Sequence, residues 1–154
     1  MKLEIKRKIA HICVGLFIVI TYYYKILSTK YLFFGLIFFT ILSFLSMKFE
    51  IPIVKILLKN FEREKELKKF PFKGMIFFLG GCLLTIKLFT KDIALASIIV
   101  LTLGDSISFL CGALLGKTRL SFNKLKNLEG ILAGILLAFL GSIIFVNITE
   151  GFFG

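Results

Sequence analysis

The sequence has few cysteines and few acidic side chains. Its three cysteines, Cys13, Cys82 and Cys111, each lie inside an apolar run and form no CxxC pair, so neither a disulfide framework nor a zinc site is predicted. We expect them to be small packing residues. Asp and Glu together number 9 against 20 Lys and Arg, which gives a formal net charge of +11.

Apolar residues, in contrast, are abundant. They make up 58% of the 154 residues, Phe alone supplies 19, and the mean hydropathy is +0.95. Soluble domains are about 45–50% apolar, so this composition excludes a water-soluble globule, and it excludes a disordered chain for the same reason. We therefore predict a single transmembrane domain over residues 1–154.

Five apolar runs approach the length of about 20 residues that a spanning helix needs. Between the second and third runs, the apolar residues 51–58 and the charged residues 61–69 suggest an amphipathic helix on the membrane surface, with a solvated connector as an equal alternative. The predicted fold is an all-α, polytopic membrane helix bundle with about five transmembrane helices plus this surface helix. The predicted spans are residues 9–24, 31–47, 74–89, 93–116 and 131–148.

Basic residues are distributed unequally between these runs. Sixteen of the twenty precede the first run or lie in the loops 48–73 and 117–130. Since cytoplasmic loops carry an excess of Lys and Arg, we predict that the N-terminus and both loops are cytoplasmic. A basic balance can also serve nucleic acid or a phosphorylated substrate. The position of these residues between apolar runs favours the lipid bilayer as partner, and no nucleic acid is expected.

Two carboxylates are the main functional candidates, Asp105 inside the fourth run and Glu129 just before the fifth. Ionisable groups at membrane depth are costly and are functional candidates by default. The loop between them is rich in Lys and Arg, and the N-terminus of the following helix offers N–H groups that suit phosphate oxygens. Carboxylates beside a cationic loop predict a site for a divalent metal ion bound to a nucleotide.

Small residues recur every four positions in the last two runs, which predicts close packing of two membrane helices. They are Gly104, Ser108, Gly112 and Gly116 in the fourth run, and Gly130, Gly134, Ala138 and Ser142 in the fifth. Packing does not account for Asp105.

The run 112–118 is similar to a phosphate-binding G-x-x-x-x-G-K-[ST] loop, but it is one residue short and follows a membrane segment, so we reject that interpretation.

The run Gly104-Asp105-x-x-Ser108-x-x-x-Gly112-x-x-x-Gly116-Lys117, followed by Lys126-x-x-Glu129-Gly130, resembles the CTP-dependent lipid kinases. These include dolichol kinase, phytol kinase and the yeast-type diacylglycerol kinase. Arg7-Lys8-Ile9-Ala10-His11-x-x-x-Gly15 resembles the basic opening of that family, and Lys73-Gly74 is similar to another recurrent element. Asn127 stands where the family has Ser or Thr, and Ser108 where it has Ala.

The resemblance implies phosphoryl transfer from CTP, with Mg²⁺, to the hydroxyl of a membrane lipid alcohol such as polyprenol, dolichol, a phytol-like alcohol or diacylglycerol. It implies that Asp105 and Glu129 are metal ligands and that Lys117 and Lys126 join them as catalytic residues. The implied nucleotide-binding residues are Gly104, Gly112, Gly116, Lys117, Lys124, Lys126, Asn127, Gly130 and Lys73. Further candidates are His11, Arg7 and Ser108. The chain is shorter than many family members, so a homo-oligomer is also considered.

Two alternatives stay open. One is an enzyme similar to the phosphatidate cytidylyltransferases, which makes a CDP-lipid, and the other is a small transporter or scaffold in which Asp105 is an ion site.

For Asp105 and Glu129 to reach one metal–nucleotide complex, the fourth helix must break or tilt. We therefore expect a break near Gly104 or Gly116 and a water-accessible pocket between the fourth and fifth helices.

Overall fold

The computed structural model describes residues 2–49, 52–62, 69–120 and 123–153. This part of the chain is almost entirely helical, with one short antiparallel strand pair before the last helix. The helices are α1 (Lys2–Tyr23), α2 (Thr29–Lys48), α3 (Pro52–Phe61), α4 (Lys73–Leu88), α5 (Lys91–Leu115) and α6 (Leu128–Phe153), and the strands are β1 (Arg119–Leu120) and β2 (Asn123–Asn127). The predicted all-α architecture is confirmed, and the predicted loop 117–130 contains the strand pair.

Three helical segments are long and apolar enough to cross a membrane: Thr29–Lys48, Lys91–Leu115 and Leu128–Phe145. They agree with the second, fourth and fifth predicted spans to within three residues, and they identify the chain as a helical membrane protein. The other two predicted spans correspond to α1, which begins in the charged N-terminal stretch, and to α4, which has only 16 residues. The total of five spans and the cytoplasmic N-terminus stay predictions.

The turn from α1 into α2 shows how local chemistry ends one helix and begins the next. Lys25 adopts the left-handed conformation with φ 59°, and its N–H donates to the Tyr22 carbonyl at 3.1 Å while the Ile26 N–H donates to the Thr21 carbonyl at 2.9 Å. These two bonds satisfy helix-terminal carbonyls in the pattern of a Schellman motif. Ser28 then provides the N-cap of α2, as hydroxyl side chains commonly do.

Backbone contacts divide the chain into two compact units. One unit contains the residues up to Arg7 and Leu27–Leu88, and the other contains Lys8–Ile26 and Phe89–Gly154. Helix α1 therefore contributes its first turns to one unit and the remainder to the other. The prediction of a single domain over the whole chain stays a prediction.

In the first unit, α2 packs against α4. Gly35 lies opposite Leu79, and Gly80 lies opposite Leu36, so each helix offers a small residue to a leucine of the other. The Ser43 hydroxyl, fully buried, donates to the Pro71 carbonyl at 2.6 Å. This bond satisfies a polar group that would otherwise be costly to bury.

Helix α3 is amphipathic, as the sequence predicted for this region. Val54 and Leu58, one helical turn apart, are buried, whereas Ile56 and Asn60 on other faces are exposed. Residues 63–68, in the charged half of the predicted surface helix, lie outside the described residues. The location of α3 on a membrane surface stays a prediction.

The second unit contains the residues on which the functional hypothesis depends. Helix α5 contacts α6 through the small residues of both helices, and it contacts α1 through Thr102, whose side chain lies against Gly15. Its face towards the interior of this unit is apolar, with Leu95 and Ile98 buried. Because α5 meets both neighbours, the orientation of α5 decides what surrounds Asp105.

Candidate functional site

Asp105 lies ten residues before the C-terminal end of α5, about 15 Å along the helix. Its carboxylate Oδ2 accepts a hydrogen bond from the Lys8 ammonium of α1, and the two side chains form an ion pair. The Asp105 side chain is 54% exposed and that of Lys8 only 19%. Lys8 Nζ also lies 5.9 Å from the centroid of the Phe109 ring, one turn further along α5. The charged centre of this unit is therefore shared by α1 and α5.

The close approach of α1 to α5 holds Lys8 in this position. Gly15 is buried, and a Cβ at that residue would lie 2.9 Å from the Thr102 Cβ, so a larger residue would separate the helices. Lys8 is seven residues, about two helical turns, from Gly15. The two residues therefore share one face of α1, and packing at Gly15 directs Lys8 towards α5.

Lys8 was absent from the site residues predicted from the sequence. It was recognised only as part of the basic opening that precedes His11 and Gly15. His11 and Gly15 follow Lys8 by three and seven residues, which places all three on one helical face. This shared face is the sequence signal that could have identified Lys8 as a site residue. His11 is half-buried on α1, and its catalytic role stays a prediction.

Close packing of α5 against α6 is confirmed, and it contradicts the predicted pocket between them. A Cβ at Gly130 would overlap the Ser108 carbonyl and lie 2.7 Å from the Gly112 Cα, and a Cβ at Gly134 would lie 2.7 Å from the Ser108 Cβ. There is no room for a water-filled pocket at these positions. Helix α5 runs without interruption through Gly104, so of the two positions expected for a break, Gly104 is wrong. The helix ends at Leu115, directly before Gly116, whose backbone is extended.

The packed stripe departs from strict four-residue spacing at the end farthest from the loop between α5 and α6. Gly141, which is buried, lies against Ile99 and Leu103, whereas the Ser142 hydroxyl bonds within its own helix to the Phe139 carbonyl. At 100° per residue, position 141 is rotated only about 20° from position 130, whereas position 142 is rotated about 120°. The α-helical period explains why Gly141 replaces Ser142 at the interface.

Asp105 and Glu129 do not fit as two ligands of one metal ion. Glu129 is adjacent to Gly130, which packs against Gly112, and Gly112 lies seven residues from Asp105, about 10 Å along α5. Side chains lean towards the N-terminus of their own helix, so in this antiparallel pair the two carboxylates diverge. Mg²⁺ requires ligand distances of about 2.0–2.1 Å. Within the described residues there is also no cluster of three or more His, Cys, Asp or Glu side chains suited to a metal.

Glu129 instead closes the loop before α6. Its Oε1 accepts a hydrogen bond from the Thr118 N–H at 2.9 Å, and the Leu128 N–H donates to the Thr118 carbonyl at 3.0 Å. The backbone of Thr118 is thus held on both sides by the first turn of α6. A carboxylate in this turn is also favoured by the helix dipole. The Glu129 Oε2 is buried and has no hydrogen-bond partner among the described residues.

Asn127 has a structural role that explains why its amide side chain, which is longer than that of Ser or Thr, occupies the position where the family motif has Ser or Thr. Its Nδ2 donates to the Gly112 carbonyl at 2.6 Å, which satisfies one of the last four carbonyls of α5. The amide also lies so close to Gly116 that a Cβ there would overlap it. Asn127 therefore caps α5 and holds the strand pair against the end of that helix.

The remaining predicted residues are distributed as follows. Lys117 is exposed directly after the C-terminal end of α5. Lys124 and Lys126 lie on β2, but their side chains lie outside what the structure describes. Lys73 begins α4 in the other unit, and Arg7, also in that unit, pairs with Glu4 at 3.2 Å. The structure therefore brings Asp105 together with Lys8, and Glu129 with Thr118.

Comparisons of this chain with protein-family models, with curated proteins and with solved structures find no match. The resemblance to the CTP-dependent lipid kinases therefore rests on the motifs quoted above. The function follows as a proposal from those motifs and from the geometry of the second unit.

Proposed function

We propose that this protein is a membrane lipid kinase that transfers a phosphoryl group from CTP to the hydroxyl of a lipid alcohol. The observation that carries the proposal is the position of Asp105. This carboxylate lies inside an apolar helix, is more than half exposed, and is paired with a lysine of a second helix. An ionisable group at membrane depth is a functional candidate by default, and the resemblance of the Gly104–Lys117 motif to the CTP-dependent lipid kinases favours nucleotide chemistry.

The proposed arrangement places the transferred phosphate beside Lys8 and Asp105, and the remainder of the nucleotide towards Lys117. Mg²⁺ would enter as part of the CTP complex, where the Asp105 carboxylate would hold it and the ion would offset phosphate charge. The lysines offset the negative charge of the phosphate oxygens, which is the main task of the protein in phosphoryl transfer.

The bond changes are those of a simple displacement. The lipid hydroxyl oxygen forms a bond to the γ-phosphorus of CTP, and the bond from that phosphorus to the β–γ bridging oxygen breaks. CDP leaves with the electron pair, and the hydroxyl proton passes to water at the exposed side of Asp105. The products are a lipid phosphate and CDP.

The test uses the purified protein in lipid nanodiscs with Mg²⁺ and γ-labelled CTP or ATP. The acceptors are polyprenol, dolichol, phytol and diacylglycerol. Wild type should transfer label from CTP to one of these alcohols. Asp105→Asn should reduce transfer by about 100-fold or more, a loss of the size seen when an electrostatic transition-state contact is removed.

Asp92→Asn is the matched control, because Asp92 is an acid in the first turn of the same helix, far from Asp105. This variant should keep wild-type transfer. Formation of a CDP-lipid and pyrophosphate would identify a cytidylyltransferase instead. Absence of nucleotide turnover, combined with loss of thermal stability in Asp105→Asn, would favour an ion site or a structural ion pair.

A further inference from the structure

We propose that the bilayer is thinned on the α1 side of the second unit, so that the headgroups and water of one leaflet reach the Lys8–Asp105 ion pair. The partner in this interaction is a lipid surface. Two polar contacts that join α1 to α5, one at each end of the paired segment, set the thickness of bilayer that this side fits. The fit can be measured without nucleotide and is independent of the proposed kinase activity.

One end of the paired segment is fixed by a contact between Lys91 and Tyr23. The Lys91 ammonium donates to the Tyr23 carbonyl at 2.9 Å and lies 4.9 Å from the centroid of the Tyr23 ring. Tyr23 also meets the rings of Tyr24 and Phe145 edge to face. Tyrosine and lysine side chains are typical anchors at a membrane–water interface. We therefore place this end of α1 and α5 at one surface of the bilayer.

The other end, the Lys8–Asp105 ion pair, lies too close to this anchor for an average bilayer. Asp105 follows Lys91 by fourteen residues, about 21 Å along α5, and Lys8 precedes Tyr23 by fifteen residues, about 22 Å along α1. The hydrocarbon core of a typical bilayer is about 30 Å thick, so the ion pair would lie about 8 Å inside it. Any tilt of the helices increases this depth, because it shortens their projection on the bilayer normal.

Helix α1 becomes polar at the level of the ion pair. Charged side chains occupy four of the six positions before Lys8, namely Lys2, Glu4, Lys6 and Arg7. Between Lys8 and Tyr23, in contrast, large apolar side chains such as Phe17 and Ile20 are exposed. The apolar part of α1, residues 9–23, is about 22 Å long. It therefore fits the same short thickness as the distance between the two polar contacts.

Asp105 marks the same boundary on α5. Ser97 and Leu101, two turns and one turn before it, are exposed on a similar face of the helix, where acyl chains would cover them. The Asp105 side chain is 54% exposed, and an exposed carboxylate in hydrocarbon is costly. Thinning of the bilayer and entry of water reduce this cost. The change from acyl chains to headgroups on this side therefore falls between Leu101 and Asp105.

The α6 side of the same unit fits a thicker bilayer. Gly104, next to Asp105, lies against Gly134 and Ala138 of α6. Leu136, midway between these two residues, is therefore level with Asp105. From Leu136, apolar side chains stay exposed for about 12 Å up to the start of α6. The two sides of the unit thus differ in apolar length, and a flat bilayer does not fit both.

The experiment compares the membrane depth of spin labels that lie at one level on the two sides. In a background without the three native cysteines, Ile9→Cys beside the ion pair and Leu136→Cys on α6 carry the label, and both positions are exposed. The full chain is held in nanodiscs of dioleoylphosphatidylcholine. Depth is measured from the relative accessibility of the label to a water-soluble nickel chelate and to oxygen. Thinning should make the label at Ile9 shallower than that at Leu136 by about 10 Å.

The native Cys13, which is exposed, gives a second measurement without a substitution on α1, in a chain that lacks only Cys82 and Cys111. Cys13 lies about 6 Å beyond Ile9 towards Tyr23. In a flat bilayer its label would be deeper than that at Leu136, whereas thinning should make it the shallower of the two.

Phe17→Cys is the matched control, because Phe17 is exposed on the same helix one further turn along. Its label should lie in hydrocarbon and favour oxygen over the nickel chelate. A label at Phe17 that is accessible to the chelate would contradict the proposal, because α1 would then lie outside the bilayer.

The outcomes separate the two proposals. Equal depths at Ile9 and Leu136, or a label at Cys13 that is deeper than that at Leu136, would overturn the thinning, whatever the activity. A protein that shows the expected depths but transfers no phosphoryl group to any alcohol would overturn the proposed function alone.

Discussion

Glu129 shows how a residue that was assigned to metal chemistry can be explained by its hydrogen bond. Its Oε1 accepts from the Thr118 N–H at 2.9 Å, and its position in the first turn of α6 suits a carboxylate. The bond needs an acceptor oxygen but not a negative charge. A metal ligand in this position would need the charge, so the two roles can be separated by one substitution.

We predict that Glu129→Gln keeps the protein close to wild-type stability, because the glutamine Oε1 can accept the same bond. Glu129→Ala should lower the thermal midpoint, since the Thr118 N–H loses a charged acceptor. Thermal unfolding in detergent compares the two variants. A Gln variant that is as stable as wild type but loses CTP-dependent transfer would restore Glu129 as a ligand of the substrate.

At the scale of elements, the contact between α5 and α6 is set by the absence of side chains. Gly130 is buried where the backbone of α6 meets Ser108 and Gly112 of α5. Membrane helices gain no hydrophobic free energy from association, so close backbone approach of this kind stabilises the pair. The obstacle that a new side chain would meet is backbone, which cannot move aside as a flexible side chain can.

Gly130→Ala should therefore destabilise the protein by about 1–3 kcal/mol, the usual cost of overpacking. Gly81→Ala is the control, because a Cβ at Gly81 meets nothing within 4 Å. Gly81 lies inside α4, and alanine is the better helix former by about 0.5–1 kcal/mol, so this variant should be neutral or slightly stabilised. Equal midpoints for the two variants in thermal unfolding would contradict the packing described here.

At the scale of the whole molecule, exposed apolar side chains indicate contact with lipid, and the charges of the loops predict the orientation in the membrane. Large apolar side chains are exposed along α2 and α6, including Phe34, Phe44, Leu132 and Phe139. Such a surface suits lipid and not water. The direction in which the helices cross follows only from the distribution of Lys and Arg, which favours cytoplasmic loops at 48–73 and 117–130.

We predict that the two ends of α2 lie on opposite sides of the membrane. In a background that lacks Cys13, Cys82 and Cys111, Ser28→Cys should react with a membrane-impermeant maleimide in intact cells. Phe49→Cys should react only after the cells are permeabilised. The two positions flank the same helix, so each is the control for the other. The reverse pattern would invert the orientation and place Asp105 in the opposite leaflet.

Much of the secondary structure was predictable because it depends on local composition. The apolar run at 31–47 corresponds to the helix Thr29–Lys48, and the run at 93–116 corresponds to the helix Lys91–Leu115. Spacing also predicted that α5 and α6 meet through small residues. The strand pair at 119–127 was missed, since its short polar segments carry neither a helical nor a clear alternating pattern.

The sequence by itself determined that this chain belongs in a bilayer, because its apolar runs have no other solvent in which they are stable. It also identified Asp105 as the residue that packing does not explain. Only the tertiary structure decided that Asp105 pairs with Lys8 of α1 and that Glu129 turns to its own loop. The Lys8–Asp105 contact depends on which helical faces meet, and residues 97 positions apart share no local pattern that could have paired them. The Glu129–Thr118 contact depends on how the strand pair returns the chain to the first turn of α6.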